Sequence, residues 1–417
     1  GEQPKAYVLE TQPREISRKA LGYPSGYLYG LPRMENCTIR TNYPFYEYRF
    51  YKKGLPLEVT MEAYTPFIPL DEKNSGIPGV FIKYKITNSS EKEAKVSVCG
   101  TMYNFTGFTS YDGYDRLYQD GTPVNTVEQG GKITGIYYNN EGMDTNLVNY
   151  GNIALFTSNE QVSCKPYWQD GGWWDGAEEF WQDFREDGEL KEDVSTEAVG
   201  SNVTASQTPR KVGSVCGKET LGPGETKEFE FILTWYFPNR YGWWPDGHCR
   251  PEEKSLHDKV WRNYYSTQWK NAKDAARYLF ENKKFLEEKS RNFAGALYST
   301  TLDADVIESL VSAITVIRSN TCFRIEDGRF FAWEGCFEHA GSCAGTCTHV
   351  WNYAQAMAFL FPALEQSVRK TEFLEETDET GNMAFRAKRL LDGKKWDMLP
   401  ATDGQLGCIL RVYREWK

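Results

Sequence analysis

Residues 328–355, GRFFAWEGCFEHAGSCAGTCTHVWNYAQ, bring together Glu334, Glu338, two of the chain's four histidines and three of its ten cysteines. Three chemistries compete for such a stretch. The first is a metal knot built from Cys336, His339, Cys343, Cys347 and His349. Their spacing matches neither paired C-x2-C knuckles nor the C2H2 arrangement, so spacing gives no zinc site. The second is a cysteine nucleophile with His339 or His349 as its base, but no recognised local signature surrounds any of the thiols. Against both stands the plainer view that these cysteines are small apolar fillers of a tight loop. The third chemistry is one reactive carboxylate. In TCFRIEDGRFFAWEG two β-prone runs flank Asp327-Gly328, a dipeptide suited to a type I′ hairpin turn with two positive-φ residues. The returning strand then delivers Glu334 beside Trp333, and Gly335 is expected to break the strand, leaving the carboxylate at the end of a rigid element. Glu338, four residues on, is taken as a loop charge.

The elements that must hold this stretch change character along the chain. From about residue 40 to 240 apolar residues alternate with polar ones: Leu57, Val59, Met61, Ala63; Val80, Ile82, Tyr84, Ile86; and Phe229, Phe231, Leu233, Trp235 after a Pro-Gly turn. That pattern predicts strands with one wet face each, paired antiparallel in a sandwich. Inside this half, WQDGGWWDGAEEFWQDF interleaves Trp168, Trp173, Trp174 and Trp181 with Asp170, Asp175, Glu178 and Glu179; it reads as a long aromatic loop that either covers a neighbouring domain's cleft, the preferred expectation, or caps the sandwich. Beyond YGWWPDGHCRPEEK the period lengthens to that of a helix, with Tyr265, Trp269, Ala272, Ala276 and Leu279 on one face and Ile307, Leu310, Ile314 and Ile317 on another. Helix signals return at 350–360, 383–391 and 405–416. The domain division is therefore residues 1–245 as a β-sandwich, 246–290 as linker and first helix, and 291–417 as a helical domain.

Composition narrows the partners. With 417 residues the chain exceeds what one core usually organises. A net charge of −10 without a compensating basic block repels phosphate backbones, so nucleic acid is not an expected partner. Aromatics reach 15% of residues, which serves either sugar-stacking faces or an aromatic-rich β core. The cysteines are too sparse for a disulfide scaffold and are expected as buried thiols. No run approaches membrane-spanning length and no signal-peptide apolar region is visible, so a cytoplasmic location is expected. The sequons at Asn36, Asn88, Asn104 and Asn202 would matter only in a eukaryotic secretory route.

GRFFAWEG, GTCTHVWNYAQAMAFLFPALEQSVR and ATDGQLGCILRVYREW resemble glycoside hydrolase family 116, the non-lysosomal glucosylceramidase family. Upstream, PLEVTMEAYTPFIPLD, WQDGGWWDGAEEFWQDF and NRYGWWPDG are similar to that family's N-terminal domain and linker. The resemblance implies a multidomain β + α fold, an antiparallel β-sandwich followed by the first part of an (α/α)6 helical toroid. It implies hydrolysis of β-glucosides, and in some members β-xylosides or glucosylceramide-like glycosides, with retention at the anomeric carbon and with no metal or cofactor in the chemistry. Carried onto this chain, the family's nucleophile falls on Glu334. The polar position of the following loop falls on His349, and Asp403 aligns with an Asp before the last matching helix, where it either touches sugar or caps the helix. Trp333, His349 and Asp403 are the expected substrate contacts.

Retention needs a second carboxyl to protonate the leaving oxygen. The resemblance places that acid/base further along the helical barrel than Lys417, and the family's Gly-rich opening strand before the first residues here, so the chain reads as truncated at both ends. A competing expectation is a non-catalytic carbohydrate-binding or scaffold fragment whose Trp173 and Trp174 stack on sugars.

Overall fold

A computed structural model describes residues 4–11, 30–111, 117–169, 176–192, 211–241, 260–332, 334–336, 341–342, 346–350, 354–387 and 399–417. Alternating apolar residues build the strands β1 (Asn36–Asn42), β2 (Phe45–Tyr51), β3 (Leu57–Tyr64), β4 (Gly79–Asn88), β5 (Ala94–Tyr103), β6 (Phe108–Tyr111), β7 (Leu117–Gln119), β8 (Thr122–Gly130), β9 (Ile133–Glu141), β10 (Asn152–Thr157), β11 (Gln161–Lys165), β12 (Val212–Leu221), β13 (Thr226–Tyr236), β14 (Asn239–Tyr241) and β15 (Val260–Arg262). Eight of them form one antiparallel sheet in the order β1-β2-β3-β4-β13-β10-β9-β8. A three-stranded sheet, β11-β12-β5, packs against it. Between the two lies a core of Val59, Ile86, Ile136, Leu155, Phe229 and Phe231 from the large sheet with Val96, Val98, Val215 and Leu221 from the small one.

The expected wet face is absent from the middle of the large sheet. On β13, Phe229 and Phe231 point into the sandwich as the alternation requires, yet Glu230 and Ile232 on the other face are buried too. A long helix covers that face. Among helices α1 (Glu72–Ser75), α2 (Ala177–Asp187), α3 (Ala272–Tyr298) and α4 (Ala304–Thr315), α3 is 27 residues long and starts where Asn271 accepts a hydrogen bond from the Asp274 amide. Its Ala272, Ala275, Ala276, Leu279 and Leu286 pack on Phe45, Tyr64, Phe81 and Ile232. Four cationic or anionic side chains of α3 pair with the strands: Lys273 with Glu128 at 2.9 Å, Lys283 with Glu230 at 2.8 Å, Glu287 with Lys83 at 2.6 Å and Arg291 with Glu62 at 2.5 Å. Burying β4 and β13 under a helix more than thirty residues downstream is what a period-two pattern cannot announce. Of the predicted helical face, Tyr265 falls in a 3-10 turn (Tyr264–Thr267) and Trp269 precedes the helix, although both join the same core.

The aromatic loop also behaves differently from expectation. Trp168 stacks on Phe180 of α2 at 4.3 Å, its Nε1 donates to Ser214 Oγ at 2.8 Å, and Trp181 is buried. Trp168 and Phe180 join Val212 and Cys216 over the small sheet, so the described part of the stretch caps the sandwich, the less preferred of the two expectations. Lys165, 2% exposed, anchors α2 through Glu179 and Asp183. Trp173 and Trp174 lie outside the described residues. The sequon residues Asn88 and Asn104 are both fully buried, with their amides bonded to backbone carbonyls such as Leu221 O and Asn139 O.

The remaining helices are α5 (Met357–Leu360), α6 (Pro362–Lys370) and α7 (Thr402–Trp416); a π-helical turn, Thr371–Glu375, prolongs α6. On α4 and the turn after it Ile307, Ile314 and Ile317 are buried as predicted, whereas Leu310 is exposed. The helix expected over 383–391 is not formed in its described part, where Arg386–Ala387 is a strand. Among the described residues no helix is long and apolar enough to cross a membrane.

Candidate active site

Glu334 follows a hairpin whose strands are β16 (Cys322–Arg324) and β17 (Phe330–Ala332), paired Cys322 to Ala332 and Arg324 to Phe330. Its loop is not the two-residue type. Only Gly328 takes a positive φ, +93°, and Ile325 N donates to Arg329 O while Gly328 N donates to Ile325 O. That is a three-residue loop, Glu326 to Gly328, with the glycine in the left-handed position. Asp327 braces it by accepting from the Arg329 amide at 2.9 Å and from the Arg329 guanidinium.

Strand β17 ends at Ala332, earlier than the break expected at Gly335, and Gly335 itself opens a further strand. Two short strands follow, β18 (Gly335–Cys336) and β19 (Gly341–Ser342), which pair with each other, and then β20 (Thr346–Cys347) pairs with β21 (Arg386–Ala387). Thr346, 1% exposed, pins the end of β17: its Oγ1 accepts from the Ala332 amide at 3.0 Å and donates to the Ala332 carbonyl. Glu334 therefore hangs two residues past a fixed, fully buried position. Its side chain keeps 19% of its surface exposed.

The pairing of Cys347 with Arg386 brings a guanidinium to this carboxylate, and Arg386 NH1 donates to Glu334 Oε1. Arg386 sits on Phe385, whose ring also meets His349 edge-on at 4.7 Å. Donor atoms of Glu334, Cys347 and His349 all lie within 4.8 Å of one another. His349 Nδ1 is 3.8 Å from Asp403 Oδ1. Three of the four residues read from the sequence are thus gathered in one place; Trp333, the fourth, lies outside the described residues, as do Glu338, His339 and Cys343. Asp403 is not a cap, because the cap position of α7 is Ala401. It stands in the first turn, where an acid complements the helix dipole, and is 77% exposed.

Burial pushes the Cys347 thiol up to about 11, with the Arg386 charge and nearby backbone amides pulling the other way. At neutral pH it is a protonated thiol with no exposed surface, which argues against the cysteine-nucleophile chemistry at this position.

What sets Asp403 against His349 is a missing side chain. A Cβ on Gly404 would run into Thr348, whose own Cβ would be 2.9 Å away, so α7 approaches β20 only because glycine stands there. Arg411 of α7 donates to Thr348 O at 3.1 Å and fixes the approach. Beneath lies a buried ionic cluster. Arg369 NH1 reaches Glu372 at 2.7 Å, Arg414 NH2 reaches Glu365 at 2.7 Å, and Arg411 and Glu415 complete it. Burial raises Glu372 above the ordinary carboxyl range and moves Glu415 up to about 7. A separate cavity of about 550 Å³, lined among others by Arg240, Tyr264, Gln268, Cys322 and Arg324, includes none of the gathered residues.

Residues 1–286 match the family described as beta-glucosidase 2, glycosyl-hydrolase family 116 N-term. The chain belongs to glycosyl-hydrolase family 116. Among solved structures, this family 116 chain is similar to a putative kojibiose phosphorylase from human microbiome, with 9% identity and a TM-score of 0.37 over 93% of this chain and 44% of that one. It is also similar to a putative aldose 1-epimerase from Klebsiella pneumoniae subsp. pneumoniae, with 9% identity and a TM-score of 0.23 over 48% of this chain and 53% of that one. The chain spans less than half the length of the phosphorylase. The family 116 match ends inside α3, so Glu334 and its neighbours lie beyond the matched range.

Arg386 is the residue that sequence reasoning missed. It stands 52 positions from Glu334 in a two-residue strand, and no periodicity marks so short an element.

Proposed function

We propose that this chain carries the nucleophile of a retaining glycoside hydrolase that cleaves β-glucosides, with β-xylosides and glucosylceramide-like glycosides as the related substrates. Glu334 attacks the anomeric carbon through a carboxylate oxygen, and the glycosidic oxygen leaves with a proton from a second carboxyl group. Water then attacks the same carbon, its proton passes to that second group, and the ester to Glu334 is broken. Arg386 supplies the counter-ion that orients the attacking carboxylate, while His349 and Asp403 face the sugar hydroxyls. The proton donor is not assigned among the gathered residues: Asp403 is turned towards His349 and widely exposed.

The observation that carries this reading is the placement of Glu334, at the end of a pinned hairpin, held by Arg386 and still reachable from solvent. Family membership supports a carbohydrate substrate. We read the helical part, residues 291–417, as the first part of an (α/α)6 toroid that follows the sandwich of residues 1–245 through a linker and first helix over 246–290. A 2-deoxy-2-fluoro β-glucoside with a good leaving group tests the proposal, because departure of such a group needs little acid help. Intact mass should rise by one glycosyl unit, and peptide mapping should find it on Glu334. A label on another residue, or none, rejects the assignment.

A further inference from the structure

The gathered donors suit a ligand other than a sugar. Glu334, Cys347 and His349 offer one carboxylate, one thiol and one imidazole, with all donor atoms within 4.8 Å. Around tetrahedral zinc, ligand atoms sit roughly 3.3–3.6 Å apart, given metal–ligand bonds of about 2.0–2.3 Å. Small side-chain movements therefore close the set on one ion. A sulfur donor disfavours magnesium and calcium, which take oxygen, and favours a borderline or soft cation.

A second, independent feature points the same way. Metal-bound histidines usually direct their other ring nitrogen to a carboxylate, and metal-bound carboxylates are themselves hydrogen-bonded. Here Asp403 stands 3.8 Å from His349 Nδ1, longer than a hydrogen bond but on the side left over when Nε2 takes the ion, and Arg386 donates to Glu334. The two supports come from different elements, α7 and β21. The arginine does not bar a cation, since the glutamate, the thiolate formed on binding and Asp403 together offset both positive charges.

We propose that Glu334, Cys347 and His349 bind one thiophilic divalent cation, zinc by preference, and that the bound cation occupies the carboxylate and so blocks its attack on a glycoside. On binding, the sulfur–hydrogen bond of Cys347 is exchanged for a sulfur–metal bond and the proton leaves to solvent. Among the described residues the site offers three ligands, so that the fourth position of a zinc tetrahedron would fall to water. The blocking half of the proposal rests on Glu334 being the nucleophile; the binding half does not.

The test uses the whole chain stripped with a chelator. Zinc titrated calorimetrically should bind at one equivalent, and cobalt(II) in its place should give a thiolate-to-cobalt charge-transfer band. His349→Gln, which removes one of the three ligands at an exposed position, should weaken zinc by more than about 100-fold, and Asp403→Asn, which removes a supporting contact, by about 10-fold. Cys347→Ser should abolish the cobalt band; since Cys347 is buried, circular dichroism checks its fold, and His349→Gln keeps the test decisive if that variant unfolds. Absence of stoichiometric zinc, or affinity unchanged in the His349 and Asp403 variants, overturns the proposal. Labelling at Glu334 is read separately in metal-free protein. Zinc binding without labelling would defeat the nucleophile and keep the cation site, whereas labelling that saturating zinc fails to suppress would defeat the block.

Discussion

Under the function proposed above, the Glu334 carboxylate must be aimed at carbon, and the Arg386 guanidinium is placed to aim it. Arg386 presents a rigid planar fork to Glu334, and the arginine is itself 10% exposed, seated on the Phe385 ring. Misplacing a reacting group by about 1 Å costs on the order of 10²-fold in rate. Arg386→Met should therefore slow fluoroglucoside labelling by about 10²-fold. Arg386→Lys should recover only part of that loss, because an ammonium restores the charge but not the fork. Equal labelling rates in Arg386→Met and the wild type would remove Arg386 from the site. Glu334→Gln keeps the shape and removes the attacking anion, so mass spectrometry should find no adduct at all.

At the scale of elements, the site depends on how closely α7 meets β20. Gly404→Ala would force the helix off Thr348 and with it draw Asp403 away from His349. Overpacking of this kind costs about 1–3 kcal/mol, which a denaturant titration resolves; an unchanged midpoint would show that the contact yields easily. The ionic cluster under α6 and α7 adds a pH dependence. Glu415 is raised from 4.5 to about 7, chiefly by burial and then by the Glu365 charge. The folded form thus keeps a proton that the unfolded chain loses, and the associated stability is complete below about 4.5 and is lost as pH rises through about 7. Melting temperature should fall from about pH 5 to about pH 8, and Glu415→Gln should flatten the fall; parallel curves for the two proteins would refute this cause. Much of this part of the molecule was unreadable beforehand for physical reasons. The β16–β17 hairpin was legible because Asp327-Gly328 is a local turn signal, although the loop formed is one residue longer than the signal implied. Arg386 was not legible, because a two-residue strand has no period. Nor was the fate of Trp168, since an aromatic face that binds sugar and one that covers a small sheet have the same composition. The nearness of Asp403 to His349 hangs on the absence of a single Cβ, which a one-dimensional pattern does not weigh.

Over the whole molecule, α3 belongs to both cores. Along Ala272 to Ala294 it lines the core over the large sheet, while Phe293 and Leu297 also pack in the cluster that includes Phe330 and Ala332 of β17. Phe67 links the two: its amide donates to Ser290 Oγ of α3 at 3.0 Å, and its ring meets Phe293 at 5.0 Å and Phe361 at 5.3 Å. A helix shared in this way should transmit damage. Leu279 is fully buried against the sheet, distant in sequence from the hairpin, and Leu279→Ala should cost about 2–5 kcal/mol through lost burial and a cavity. If α3 couples the two cores, hydrogen exchange followed by mass spectrometry should show lost protection in peptides from β13 and from β17 alike. Lost protection in β13 with β17 untouched would mean that the sheet and the hairpin unfold as separate units, and that the pinning of Glu334 owes nothing to the sandwich.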